Sequence, residues 1–135
     1  MKQKSELRLC CPAQARYVSL IRHALGAFLD ALQCDRTLRE DATTAAGEAL
    51  ANVVEHAYAR GCLSVTCDLQ LFARFESDGR LSIEVSDNGS FIRRKPALDR
   101  GFGLRIIRAV ARKTIIDTSR GTCVIMTFGP ASPKR

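Results

Sequence analysis

The chain has 135 residues, of which 46% are hydrophobic, and a formal net charge of +7. This length predicts a single domain over residues 1–135, with its core at about 5–129 and a short tail at 130–135. The sequence contains no uncharged apolar run long enough for a membrane span and no secretory signal behind its charged N-terminus. We therefore expect a cytoplasmic protein that makes no contact with a membrane.

The first half of the chain predicts a strand followed by two helices. Residues 6–9 alternate as in a short strand, and Pro12 suits the first position of a helix. Apolar residues recur at helical spacing from 13 to 32, and an alanine-rich run predicts a second helix from about 37 to 58.

The second half predicts four strands and one helix. Alternation indicates strands over 63–75 and 81–87, joined by a turn at Asp78-Gly79. After a charged loop at 88–100, a helix is predicted over 103–111, then strands over 114–117 and 122–128. This order predicts an α+β, two-layer sandwich, with a mixed, mostly antiparallel sheet and its helices on one face.

Six cysteines raise the question of a metal site or disulfides. None forms a C-x-x-C pair or has a histidine at zinc-finger spacing. We interpret them as reduced thiols, with a metal or disulfide role as the alternative; Cys67 and Cys123 fall in apolar strand patterns. Their positions are Cys10, Cys11, Cys34, Cys62, Cys67 and Cys123.

The second predicted helix carries a ladder of polar side chains. Glu48, Asn52 and His56 follow at four-residue intervals, just over one turn, so they share a face. The opposite face is apolar, with Ala46, Ala49, Leu50, Val53 and Ala57. A solvated face is the alternative, but the apolar remainder favours a site; His56 is interpreted as structural.

Two later segments carry glycines next to polar groups. Asp87-Asn88-Gly89 ends a strand, which is also ideal composition for a plain turn. Gly101-Phe102-Gly103-Leu104 opens a helix, where backbone amides can meet phosphate oxygens; a flexible loop end is the alternative. A dinucleotide fold is disfavoured, because Ile106 replaces the third glycine of its motif.

A cluster of basic residues surrounds the second glycine motif. It suggests a cationic rim for phosphates, a docking patch for an acidic protein or a solvated face. DNA binding is disfavoured, because no aromatic residues are interleaved and no helix resembles a recognition helix. The members are Arg93, Arg94, Lys95, Arg100, Arg105 and Arg108.

Together these segments resemble the ATPase superfamily of DNA gyrase, the ninety-kilodalton heat-shock chaperone, sensor histidine kinases and MutL. Within it, the chain is most similar to the anti-sigma-factor serine/threonine kinases of bacteria, over nearly its whole length. Residues 48–57 fit E-A-x-x-N-x-x-x-H-A, residues 87–89 fit D-x-G and residues 101–104 fit G-x-G-L. Gly121-Thr122 before the last strand is the fourth match. Each motif is weak alone, but all four in order are specific.

The resemblance implies a role for each matching residue. Glu48 would be the general base, Asn52 a ligand of Mg²⁺, and Asp87 the acceptor for the adenine amino group. Thr122 would reach adenine through water, although an ordinary strand threonine is an equal alternative. The positions expected to bind the nucleotide are Asn52, Asp87, Gly89, Gly101, Phe102, Gly103, Leu104 and Thr122.

The resemblance also implies a function and partners. It implies an ATP- and Mg²⁺-dependent kinase that phosphorylates a serine of an anti-anti-sigma antagonist, alternately binds a sigma factor, forms a homodimer and does not bind DNA directly. Only eleven residues separate Gly89 from Gly101, so the expected nucleotide lid is short. A non-catalytic, nucleotide-gated binding module and a stand-alone histidine-kinase ATPase domain remain alternatives.

Overall fold

The computed structural model describes residues 3–59, 68–87, 102–117 and 122–130, of which only the backbone is described at 56–59, 102 and 103. In chain order, the elements are β1 (Ser5–Pro12), α1 (Ala15–Ala31), α2 (Arg36–Ala59), β2 (Asp68–Phe75), β3 (Leu81–Asp87), α3 (Phe102–Val110), β4 (Lys113–Asp117) and β5 (Cys123–Phe128). Within these ranges, no helix combines the length and the hydropathy that a membrane span requires.

The five described strands form one sheet in the order β1-β2-β3-β5-β4, and each neighbouring pair is antiparallel. The β2–β3 hairpin turns at the predicted Asp78-Gly79, where Gly79 has a φ of 92° that glycine adopts without strain. The Asp78 carboxylate accepts a hydrogen bond from the Arg80 backbone N–H at 2.9 Å. The α+β sandwich predicted from the sequence is confirmed.

The core lies between one face of the sheet and the helices. Strict alternation on β2 and β3 buries every second residue. Helix α2 packs on these strands, and α1 packs on α2 and β1. Four fully buried alanines on α2 let the neighbouring elements approach this helix closely: Ala42, Ala45, Ala46 and Ala49. Larger side chains such as Ile21, Leu50 and Ile83 are fully buried, each worth about 1.5–3 kcal/mol of transfer free energy.

Helix α1 ends in a Schellman motif built without glycine. The Cys34 N–H donates to the Leu29 carbonyl at 3.2 Å, and the Gln33 N–H donates to the Asp30 carbonyl at 2.9 Å. Gln33 adopts a φ of 60°, which glycine usually supplies. Asp35 then caps α2, accepting a hydrogen bond from the Leu38 N–H at 2.8 Å. These two caps fix the tight turn between α1 and α2.

One local prediction is wrong. Pro12 does not begin a helix but ends β1, where it pairs with Asp68, and α1 begins at Ala15 after an extended Gln14. An edge strand tolerates proline because the missing N–H faces away from the sheet. The other described elements lie within about three residues of their predicted bounds; the first part of the strand predicted over 63–75 lies outside the described residues.

The cysteines in the described ranges carry free thiols, as the interpretation of reduced residues expects: Cys10, Cys11, Cys34 and Cys123. Cys62 and Cys67 lie outside those ranges. Cys34 is buried beside the end of α1, and Cys123 is half-buried at the start of β5. Burial, followed by the Glu84, Asp117 and Asp87 carboxylates, raises the pKa of the Cys123 thiol to about 11.

Candidate functional site

Helix α2 supplies two members of the predicted polar ladder. Glu48 and Asn52 are both half-buried on successive turns, whereas Ala49 and Val53 beside them are fully buried in the core. The side chain of His56 lies outside the described residues. The helix therefore presents a carboxylate and a carboxamide at the boundary between core and surface, where both can contact a ligand.

Asp87 and Thr122 lie together at one end of the sheet. The Asp87 N–H donates to the Thr122 carbonyl at 3.1 Å, and the Thr122 N–H donates to the Asp87 Oδ1 atom at 3.3 Å. Asp87 is only 5% exposed and Thr122 only 1%. A carboxylate at such burial requires hydrogen-bond donors, and a backbone N–H provides one of them. The reciprocal pair holds the Asp87 carboxylate in a fixed position.

The fold relates this pair to the polar face of α2. Within the sheet, α2 makes most of its contacts with β3, the strand that ends at Asp87. Helix α3 also packs on α2, with Leu104 and Ile107 buried. The elements that carry the second and third sequence motifs are therefore both packed against the helix that carries the first.

The glycine motifs are described only in part. Helix α3 begins at Phe102, so Phe102 and Gly103 form its first turn. Gly89 and Gly101 lie outside the described residues, as do four members of the basic cluster. The two remaining members, Arg105 and Arg108, are exposed on α3. Two cations thus lie on the helix whose N-terminal amides are expected to meet phosphates.

The described residues fit a magnesium ion held mainly by other oxygens. They contain no group of three or more histidine, cysteine or acidic side chains able to form a protein-built metal centre. Mg²⁺ typically keeps several waters and takes one or two protein ligands together with substrate phosphates. The half-buried Asn52 carboxamide offers one neutral oxygen of the hard type that Mg²⁺ prefers.

Sequence reasoning missed a cavity beside Glu48. Between α1 and α2, a space of about 370 Å³ is lined by Val18, Arg22, Thr43, Thr44, Gly47, Glu48 and Ala51. Arg22 forms no ion pair with any described residue, and its side chain lies over Gly47. A glycine directly before Glu48 in an alanine-rich helix was the one available signal of this close approach.

Comparisons with known proteins identify the family of the domain. Residues 11–128 match the family model described as histidine kinase-like ATPase domain. Serine-protein kinase RsbW of Bacillus mycoides is 30% identical over 89 residues, which are 66% of this chain and 52% of that protein. Its counterpart of Bacillus cereus is 28% identical over 143 residues, covering 94% of this chain and 86% of that protein. The chain spans about half the length of the first relative.

A solved structure supports the same fold. The structure of the RsbU and RsbW domains of a Mycobacterium tuberculosis protein aligns with 97% of this chain at a TM-score of 0.73. Sequence identity is 23%, and the match covers 34% of the solved chain. At this identity the likeness concerns the fold.

Proposed function

The chain belongs to the histidine kinase-like ATPase domain family, and on that premise we propose that it is an ATP-dependent serine-protein kinase and anti-sigma factor. It phosphorylates a serine of an anti-anti-sigma antagonist and, in the alternative state, binds a sigma factor. The relatives named serine-protein kinase RsbW support this class of activity. The observation that carries the proposal is that α2, with Glu48 and Asn52 half-buried on it, packs on β3, the strand that ends at the buried Asp87.

Each of these residues has a part in the proposed binding of ATP. Asp87 accepts a hydrogen bond from the adenine amino group and disfavours guanine, whose oxygen at that position repels a carboxylate. Thr122 supports Asp87 through its backbone N–H. Gly89, Gly101, Phe102, Gly103 and Leu104 complete the nucleotide site in this proposal.

In the proposed phosphoryl transfer, Glu48 is the general base. This carboxylate accepts the proton of the substrate serine hydroxyl while the serine oxygen attacks the γ-phosphorus of ATP. The bond from the γ-phosphorus to its bridging oxygen breaks, and ADP leaves with that oxygen. Asn52 contributes one oxygen ligand to Mg²⁺, which, when bound, neutralises charge on the phosphates. Glu48 also lines the cavity that Arg22 lines, and in this proposal that cavity offers the hydroxyl a route.

The proposal includes a homodimer formed through the open face of the sheet. Ile115 on this face is 45% exposed, and Phe72 lies under the Arg8 guanidinium at 3.8 Å. A two-fold interface must be self-complementary, and this face carries both charges. Its basic residues include Arg8, Arg74 and Lys113, and its acidic residues include Glu6, Glu84 and Asp117.

The test is incubation of the chain with γ-labelled ATP, Mg²⁺ and a purified antagonist protein. We expect acid-stable label on a serine of the antagonist. Glu48→Gln should abolish this label and keep ATP binding, measured by calorimetry. The matched control is Glu55→Gln, which alters an exposed carboxylate on the same helix and should keep the activity.

Three outcomes oppose the proposal. Retained phosphorylation by Glu48→Gln removes the general-base role. Acid-labile label on histidine indicates a histidine-kinase ATPase domain, and nucleotide binding without any transfer indicates a binding module.

A further inference from the structure

A second cavity lies next to the one beside Glu48, again between α1 and α2. This second space of about 530 Å³ is lined by Arg22, His23, Gly26, Arg36, Arg39, Glu40 and Thr43. It shares Arg22 and Thr43 with the space of about 370 Å³ that Glu48 lines. The two spaces are therefore neighbours along the same pair of helices and are here called together the α1–α2 cleft, in which Glu48 lines one space and Arg36 lines the other.

The Arg36 end of this cleft is rich in guanidinium groups. Three arginines line it against the single carboxylate of Glu40. The Arg36–Glu40 pair at 2.9 Å is highly exposed on both sides, and Arg39 approaches the exposed Asp30 at 3.6 Å. Exposed pairs of this kind contribute little to stability, so a bound carboxylate can replace one partner at low cost. Arg22, at the junction of the two spaces, forms no ion pair within the described ranges.

We propose that the α1–α2 cleft binds an acidic segment of the protein substrate and delivers the neighbouring serine to Glu48. This inference rests on the proposed kinase function. The acidic segment contacts Arg22, Arg36 and Arg39, and the serine enters the space that Glu48 shares with Ala51. Charge complementarity selects the occupant, because guanidinium groups bind carboxylates through paired hydrogen bonds.

The length of the cleft predicts a spacing in the substrate. From Arg36 to Glu48, α2 rises by about 18 Å at about 1.5 Å per residue. An extended peptide covers this distance in about five residues at about 3.3 Å each. The preferred substrate therefore carries its acidic residues about five positions from the serine.

Binding can be tested without nucleotide or catalysis. The probe is a fluorescein-labelled peptide with one serine and two glutamates five positions away, titrated with the full chain at fixed ionic strength and followed by anisotropy. Peptides with the glutamates on either side of the serine are compared. Arg36→Glu/Arg39→Glu should weaken binding roughly tenfold or more, because attraction becomes repulsion.

A matched variant separates the cleft from net charge. Arg16→Glu/Arg80→Glu lowers the net charge equally, and neither residue lines the cleft or lies on the open face of the sheet. It should change the affinity less than about twofold. Arg39 also donates a hydrogen bond to the Cys34 carbonyl at 3.3 Å, so its replacement can disturb the turn. The single variant Arg36→Glu changes a highly exposed residue and leaves this contact intact. Glu40→Gln should tighten binding.

Several results would overturn the inference. These are equal losses in the two double variants, no change in Arg36→Glu, or an oligonucleotide of equal charge that binds the cleft more tightly than the peptide. Phosphorylation assays distinguish this failure from that of the proposed function. If the serine is phosphorylated but the KM for the peptide does not change with Arg36→Glu or with the glutamate spacing, the docking proposal is wrong and the proposed kinase function is retained. If peptide binding depends on Arg36 but no phosphoryl transfer occurs, the proposed kinase function is wrong and the docking proposal is retained.

Discussion

Arg22 on α1 lies across Gly47 on α2. A Cβ atom placed on Gly47 would lie 3.1 Å from the Arg22 Cδ atom and 3.6 Å from its Nη1 atom. The Arg22 side chain thus crosses α2 at Gly47, directly before Glu48. Arg22 and Glu48 line the same cavity. Glycine inside a helix costs about 0.5–1 kcal/mol relative to alanine. Glycine at position 47 leaves room for the close approach of Arg22, which accounts for a glycine inside this helix despite that cost.

Gly47→Ala is expected to raise the free energy of unfolding by about 0.5–1 kcal/mol. The gain in helix propensity exceeds the cost of displacing the exposed, flexible Arg22 side chain by a few tenths of an ångström. Urea denaturation measures the change. The same variant should bind the acidic peptide more weakly, since Arg22 no longer rests over α2.

Gly26→Ala is the stability control for this prediction. A Cβ atom at Gly26 meets the Thr43 Cγ2 atom at 3.8 Å, an ordinary contact, so this substitution should stabilise α1 by a similar amount. If Gly47→Ala destabilises the protein while Gly26→Ala stabilises it, Arg22 is held rigidly and our account of its flexibility is wrong.

Gln33→Gly should stabilise the turn between α1 and α2. Gln33 occupies a φ of 60°, which is unfavourable for a residue with a side chain. The expected gain is about 0.5–1 kcal/mol, reduced by the larger backbone entropy of glycine in the unfolded chain. Thermal unfolding should show a higher Tm for Gln33→Gly and little change for Gln33→Ala. Equal stability of all three proteins would show that the left-handed conformation carries no strain here.

The fold was predictable because its signals are local and regular. The alternating pattern of β2 and β3 specifies which face of each strand is buried. The alanine-rich pattern of α2 likewise specifies a helix with one buried face. Pro12 was misassigned because its φ suits both a first helical turn and an edge strand. Whether β1 lies at the edge depends on its pairing with β2, which is a long-range property absent from the residues around Pro12.

The site was predictable only along single elements. Glu48 and Asn52 share a face because helical spacing places them there, and the reciprocal hydrogen bonds join the two predicted residues Asp87 and Thr122. The α1–α2 cleft could not be predicted in this way. It arises from the crossing of two helices, and the arginines that line it come from segments with no shared sequence pattern.

Cys123 should react slowly with alkylating reagents at neutral pH. Burial and the nearby Glu84, Asp117 and Asp87 carboxylates disfavour the thiolate, raising its pKa to about 11. Because folding raises the pKa of the thiol, its contribution to the free energy of unfolding is fully present below its ordinary pKa. This contribution is lost as the pH rises towards 11. Peptide mapping after iodoacetamide treatment should give a rate that increases up to about pH 11. A plateau at pH 9 would contradict this environment.

Ile115→Glu should convert the proposed homodimer into monomers. Ile115 is 45% exposed on the open face of the sheet, and a carboxylate buried there in each copy of a two-fold interface would lose its hydration. Sedimentation velocity measures the change. Leu20→Glu is the control, because Leu20 is 56% exposed on α1. Loss of the dimer in Leu20→Glu alone would assign the interface to the helical layer.

Asp87→Asn should weaken ATP binding about tenfold to a hundredfold and preserve the fold. The asparagine Oδ1 atom can still accept the hydrogen bond from the Thr122 N–H, which keeps the end of β3 joined to β5. Its amide nitrogen, however, presents a donor to the adenine amino group, and an unmatched buried donor costs about 1–3 kcal/mol. Calorimetry with ATP measures the affinity, and Asp30→Asn, at an exposed carboxylate on α1, is the charge-matched control. Unchanged ATP affinity in Asp87→Asn, with an unchanged Tm, would remove Asp87 from the adenine site and with it the nucleotide pocket as we propose it.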